Sequence, residues 1–143
     1  MKQERVQEWM SASVITVKAE TSLPEAHQIM VSEEIRRLPV VAADGRLLGI
    51  ITLGDLRAAQ PSPATSLNIE ERNYLLSNLT AERIMTPDPV IIHPQQTIGE
   101  AAQIMLDKRI SGLPVVDENG RICGIITESD IFRMVVRHQW NRQ

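Results

Sequence analysis

Two threonine–aspartate pairs, Thr52 with Asp55 and Thr127 with Asp130, are the residues best suited by type and spacing to hold a ligand. Each closes the string Gly-Ile-Ile-Thr-x-x-Asp, at 49–55 and at 124–130. A strand is expected to end and a helix to begin at each Thr. Unpaired N–H groups and the positive end of the helix dipole favour an anionic ligand there. Thr offers such a ligand its hydroxyl. Asp, three residues on and on the same helical face, can accept two hydrogen bonds, as from a ribose diol. The glycine allows close backbone approach. Thr-x-x-Asp is equally a capping box, which needs no ligand. The spacing alone leaves both readings open.

The two pairs belong to one passage used twice. Gln28-Ile29-Met30 returns as Gln103-Ile104-Met105, and Leu38-Pro39-Val40-Val41 returns as Leu113-Pro114-Val115-Val116. The offset is 75 positions throughout, as from Asp55 to Asp130. Each copy is about 55–60 residues long, near the limit at which a core supports itself. One supersecondary unit has been used twice, and neither copy is expected to bury its apolar face alone.

Each copy reads as β-α-β-β-α. A short amphipathic segment ends at Trp9-Met10 and at Ile84-Met85, with Thr80 as an expected N-cap in the second copy. Val14-Ile15-Thr16-Val17 and Val90-Ile91-Ile92 are β-rich. Ser22 with Glu25, and Thr97 with Glu100, have the capping-box spacing. Leu23, Ala26, Ile29 and Met30, like Ile98, Ala101, Ile104 and Met105, mark one buried helical face. Strands follow from Leu38 and from Leu113, then Asp-Gly and Asn-Gly turns around Gly45 and Gly120, then return strands 47–52 and 122–127. The closing helix of the first copy should break at Gln60-Pro61, with a further helix over Leu67 to Leu79. That of the second copy should run unbroken from Ser129 to about Trp140. The expected segments are 6–60, a helical linker 61–79, and 80–140.

Composition excludes several classes. The chain has 143 residues, 43% hydrophobic and 23% charged, as in soluble globular proteins. No apolar run reaches the roughly 18 residues of a membrane helix, so no membrane partner is expected. The Met1-Lys2-Gln3 start leads into no apolar stretch, so no secretory signal is expected. One cysteine, Cys123, excludes an internal disulfide and suits a reducing, cytoplasmic setting. A net charge of −3 and few aromatics argue against nucleic acid as a partner. Arg133, Arg137, His138 and Arg142 follow Asp130, where cations suit the last turns of a helix. His27, His93 and His138 have no ligand spacing. No nucleophile, metal set or catalytic cofactor site is expected, and hence no enzyme.

The whole pattern resembles a tandem pair of CBS domains, a Bateman module. The resemblance is carried by Met85-Thr86-Pro87-Asp88-Pro89, Ile110-Ser111-Gly112-Leu113-Pro114-Val115-Val116-Asp117 and the two Gly-Ile-Ile-Thr-x-x-Asp endings. It covers about Val6 to Val136. It implies a mixed α/β (α+β) fold of two β-α-β-β-α repeats packed about a pseudo-two-fold axis, with two clefts between them. It further implies a regulatory module that binds AMP, ADP, ATP or S-adenosylmethionine in those clefts. Carried onto this chain, ribose and phosphate fall to Thr52 with Asp55 and to Thr127 with Asp130. Base contacts fall to Ile15, Thr16, Leu38 and Pro39, and to Ile91, Leu113 and Pro114. Ile51 and Ile126 stand beside the threonines. Arg37, with Ser111 on the other side, lies where some members meet phosphate.

The copies differ at Arg36-Arg37 against Ser111-Gly112, Leu53-Gly54 against Glu128-Ser129, and Val14 against Pro89. Glu128 would repel a polyphosphate. The first copy has cations for phosphate, and one occupied cleft is expected rather than two. The resemblance also implies a homodimer and an unidentified regulated protein. The alternative is a structural or oligomerisation module with no bound nucleotide.

Overall fold

The computed structural model describes residues 4–60 and 68–140, the Trp140 side chain excepted. In chain order the elements are α1 (Val6–Trp9), β1 (Val17–Lys18), α2 (Leu23–Glu33), β2 (Arg37–Val41), β3 (Leu47–Thr52) and α3 (Leu53–Ala59). They continue with α4 (Ile69–Asn78), α5 (Ala81–Ile84), β4 (Thr86–Pro87), α6 (Ile98–Lys108), β5 (Gly112–Val116), β6 (Ile122–Thr127) and α7 (Glu128–Trp140). The fold is mixed α and β, with the repeated unit present twice.

The long helices start from the expected caps. The Ser22 hydroxyl accepts from the Glu25 N–H at 3.4 Å, and the Thr97 hydroxyl from the Glu100 N–H at 3.1 Å. Neither cap is the full box. The Glu100 carboxylate instead accepts from Gln96 Nε2 at 2.7 Å and from the Thr97 hydroxyl at 3.3 Å. Thr80 stands at the N-cap of α5, but its side chain makes no capping bond. Both helices end on a left-handed residue, Glu34 (φ 55°) and Arg109 (φ 56°), 75 positions apart like the rest of the repeat.

The β-rich stretches are shorter than their composition suggests. Only Val17 and Lys18 form a strand in the first, pairing in parallel with β2. The second contributes one bridge, Ile92 to Val115. The hairpins form as the turn residues dictate, with Gly45 at φ 90° and Gly120 at φ 80°. Each hairpin shifts register at the same place, between Val40 and Val41 and between Val115 and Val116.

The closing helices also differ from each other as expected. α3 stops at Ala59, with Gln60 as its C-cap, and residues 61–67, including Leu67, lie outside the described residues. α4 is capped by Asn68, whose Oδ1 accepts from the Glu71 N–H at 2.7 Å. It buries no residue fully, though Leu76 and Leu79 pack partly against the core.

The chain forms two compact units that do not follow the sequence repeats. One comprises residues 15–89, and the other comprises 1–14 with 90–143. The breaks after Val14 and after Pro89 are 75 positions apart, so each repeat gives its opening segment to the remainder of the other. In unit 15–89, β4 pairs antiparallel with β3, Thr86 opposite Ile50 and Pro87 opposite Gly49. In the other unit Ser11 exchanges both backbone hydrogen bonds with Ile125, at 2.9 and 3.0 Å.

The motif glycines make room for this. A Cβ on Gly49 would stand 2.5 Å from Met85 Sδ and 2.7 Å from the Thr86 carbonyl oxygen. A Cβ on Gly124 would stand 2.5 Å from Met10 Sδ and 2.9 Å from the Ser11 carbonyl oxygen. The close backbone approach expected of a ligand is therefore made by the chain itself.

Each unit has its own core. Leu38, Val40, Ile51 and Leu56 centre one; Val6, Ile92, Leu113, Val115 and Ile126 centre the other. In the second unit α1 is held to α7 by side chains. Trp9 Nε1 donates to Glu4 at 3.0 Å, His138 Nε2 lies 2.8 Å from Glu4, and Arg137 stacks over the Trp9 ring at 5.0 Å. The basic residues of α7 thus have specific partners, beyond a general match to the helix dipole; Arg142 lies outside the described residues.

Candidate functional site

The two Thr-x-x-Asp pairs sit where β3 runs into α3 and where β6 runs into α7, one in each compact unit. Their backbones are built alike. The first N–H of α3, on Leu53, donates to the Arg36 carbonyl at 2.9 Å; that of α7, on Glu128, donates to the Ser111 carbonyl at 3.0 Å. Thr52 stands opposite Arg37 across the hairpin, and Thr127 stands opposite Gly112.

The side chains are then used differently. At the first junction the box is complete: the Asp55 N–H donates to Thr52 Oγ1 at 3.1 Å, and the Thr52 N–H donates to Asp55 Oδ2 at 2.9 Å. Two of the first three N–H groups of α3, expected to await an anion, are thus taken within the chain. At the second junction Asp130 Oδ2 accepts from both the Thr127 N–H (2.8 Å) and the Thr127 hydroxyl (3.2 Å). Its Oδ1 accepts from Arg133 Nη1 at 2.7 Å. Asp130 is buried, with both oxygens engaged, while the Arg133 side chain is 62% exposed.

The arginines are supplied from different elements. The first copy offers Arg37 from β2 and has Ala58 where the second has Arg133. The second has Gly112 where the first has Arg37. Sequence reasoning assigned Arg133 only to the helix end; its spacing of three from Asp130 was the available signal.

The remaining expected site residues divide by burial. Ile15 and Thr16 are half-buried just before β1, and Ser111 is half-buried before β5. Ile91 is 37% exposed. Leu38, Ile51, Leu113 and Ile126 are wholly inside the cores, and Pro39 and Pro114 are buried beside them. Leu38 faces Ile51 and Leu113 faces Ile126 across the hairpins, so these residues back the junctions from within.

Burial, and next the charge of Asp117, push the Cys123 thiol up, away from thiolate reactivity. Among the described residues no His, Cys, Asp or Glu cluster could hold a metal ion, and no helix is long and apolar enough to cross a membrane.

The family model for the CBS domain matches residues 6–62 and again 81–137. A CBS domain-containing protein of Dictyostelium discoideum is 39% identical over 132 residues, covering 92% of this chain and 91% of that protein. The solved CBS domain pair of protein MJ0100, in complex with 5-methylthioadenosine and S-adenosyl-L-methionine, is 31% identical with a TM-score of 0.78. That match covers 96% of this chain and 99% of the other. CBSX2 of Arabidopsis thaliana, solved in complex with AMP, is 26% identical with a TM-score of 0.80, covering 95% and 98% of the two chains. With both repeats matched and the fold shared along nearly its whole length, the chain belongs to the CBS-domain family.

Proposed function

We propose that the chain is a non-catalytic regulatory module that senses an adenine nucleotide or another adenosyl compound, among AMP, ADP, ATP and S-adenosylmethionine. The observation that carries this reading is that Arg37 pairs opposite Thr52, which is itself bonded to Asp55, at the β3–α3 junction. The bond from the Thr52 N–H occupies Asp55 Oδ2, and the carboxylate has a second oxygen for a ribose hydroxyl. Arg37 supplies the cation for phosphate. Ile15 and Thr16, half-buried, line the base, with Pro39, Leu38 and Ile51 behind it. Relatives of the same fold solved with AMP and with S-adenosyl-L-methionine support the choice of ligand class.

The second junction, with Ile91, Ser111, Leu113, Pro114, Ile126, Thr127 and Asp130, is the weaker cradle. Arg133 already fills the place a ribose hydroxyl would take on Asp130, and Glu128 opposes phosphate. The module works as a cytoplasmic homodimer and reports ligand occupancy to a regulated protein.

Titration calorimetry and thermal shift with the four ligands test this. A ligand at a hundredfold excess over Kd should stabilise the native state by about 2.7 kcal/mol. No response to any of the four at millimolar concentration would overturn the proposal.

A second reading, a structural or oligomerisation module with no nucleotide, is favoured by the complete internal pairing of Asp130. Under it, Asp55→Ala would change stability and no binding measurement.

A further inference from the structure

We propose a second, separate ligand site in unit 15–89: a cavity of about 470 Å³ bordered by α2, α3 and α4. Its volume falls in the range of small-molecule sites, about 300–1,000 Å³. Leu23 and Leu56, both buried, and half-buried Leu76 give it an apolar floor. Its rim carries His27, Gln28, Gln60 and Asn73. The side chains of these four make no hydrogen bond among the described residues. Among the described residues no Lys, Arg, Asp or Glu lines the cavity, and neither do Arg37, Thr52 or Asp55.

The cavity exists because the repeat symmetry is broken. α3 stops at Ala59 and the chain returns as α4, which contributes Asn73 and Leu76. The second copy continues α7 to Trp140 instead. The site therefore lies within unit 15–89, and it stands whether or not the junctions bind a nucleotide.

Its lining selects an uncharged amphipathic small molecule: an aromatic or branched apolar body carrying an amide or hydroxyl. The body covers the leucines, and the polar end pairs with the amides and imidazole of the rim. An anion meets no lysine or arginine here and loses its hydration, so it is disfavoured.

The test uses the full chain and two probes of nearly the same shape, indole-3-acetamide and indole-3-acetate. Methyl signals of Leu56 and Leu76 and the ring signals of His27 are followed by NMR. The expected result is saturable shifts with the amide, at least tenfold weaker with the acid. Asn73→Trp and Gln28→Trp, both at exposed helix positions, fill the cavity and should abolish amide binding while the melting temperature is kept. The proposal is overturned if the amide gives no saturable shift, if the two probes bind equally, or if the shifts centre on Thr52 and Asp55. It is equally overturned if amide binding survives in both folded tryptophan variants.

Discussion

Asp55 and Asp130 occupy equivalent places, yet among the described residues only Asp130 has a cation on its second oxygen. Removing either carboxylate deletes the acceptor for a threonine N–H, so Asp55→Ala and Asp130→Ala should each cost about 1 kcal/mol of stability. Loss of Arg133's partner adds little, because that side chain lies mostly in water. Binding should separate the two. A charged hydrogen bond contributes about 1.5–3 kcal/mol, so Asp55→Ala should weaken AMP tenfold or more, while Asp130→Ala changes it by about twofold at most. Calorimetric titration of both variants beside denaturant melts checks this; equal losses of affinity would contradict it. The site was legible in the sequence as far as the repeated Thr-x-x-Asp, because spacing alone sets that geometry. It was not legible whether the carboxylate faced a ligand or a neighbour, since Arg133 and Arg37 approach from different elements. Leu38, Ile51, Leu113 and Ile126 lie deeper than a contact role implies, because their strand positions face the core.

At the scale of elements, Gly49 and Gly124 decide whether the opening segments can lie against β3 and β6. A methyl group at either position meets a backbone oxygen that cannot swing aside. Gly49→Ala and Gly124→Ala should therefore each destabilise by about 1–3 kcal/mol, read from urea unfolding. A loss near zero at both would show that the segments seat loosely. The contact of α1 with α7 gives a pH signature. The Glu4 carboxyl is held below its ordinary value near 4.5 by hydrogen bonding with Glu8, then with Trp9, and by His138. Its folded value is depressed, so its contribution is complete above the unfolded value and is lost as pH falls below about 4.5 through the folded one. Between pH 6 and pH 3, wild type should lose more stability than Glu4→Gln; parallel losses would show no such contribution. The helices and hairpins were readable because caps, turn glycines and apolar spacing are local. The stretch 14–17 read as a longer strand because β-branched composition does not report where a pairing partner ends.

At the scale of the whole molecule, the exchange of opening segments redefines what a half is. A fragment cut by sequence similarity, such as 1–79, keeps residues 1–14 without their partners and lacks β4. A fragment of residues 15–89 contains one whole compact unit with its core. Fragment 15–89 should melt cooperatively and give dispersed amide signals, and 1–79 should be markedly less stable. The reverse order in circular dichroism melts would refute the division. Nothing in the repeat could have disclosed this. Both copies carry the same glycine and the same Met at the contact, so each segment is chemically suited to either strand.

The discontinuous unit also sets an order of events during synthesis. The strand pairings of residues 15–89 are complete once Thr86 and Pro87 have left the ribosome, and this unit can close while the chain is still growing. Ser11 must wait for Ile125, across most of the chain, so the other unit can close only late. Residues around Ser11, made well before Ile125, are therefore among the last to be placed. In pulsed hydrogen exchange during refolding, the Ser11 amide should gain protection after those of β2 and β3.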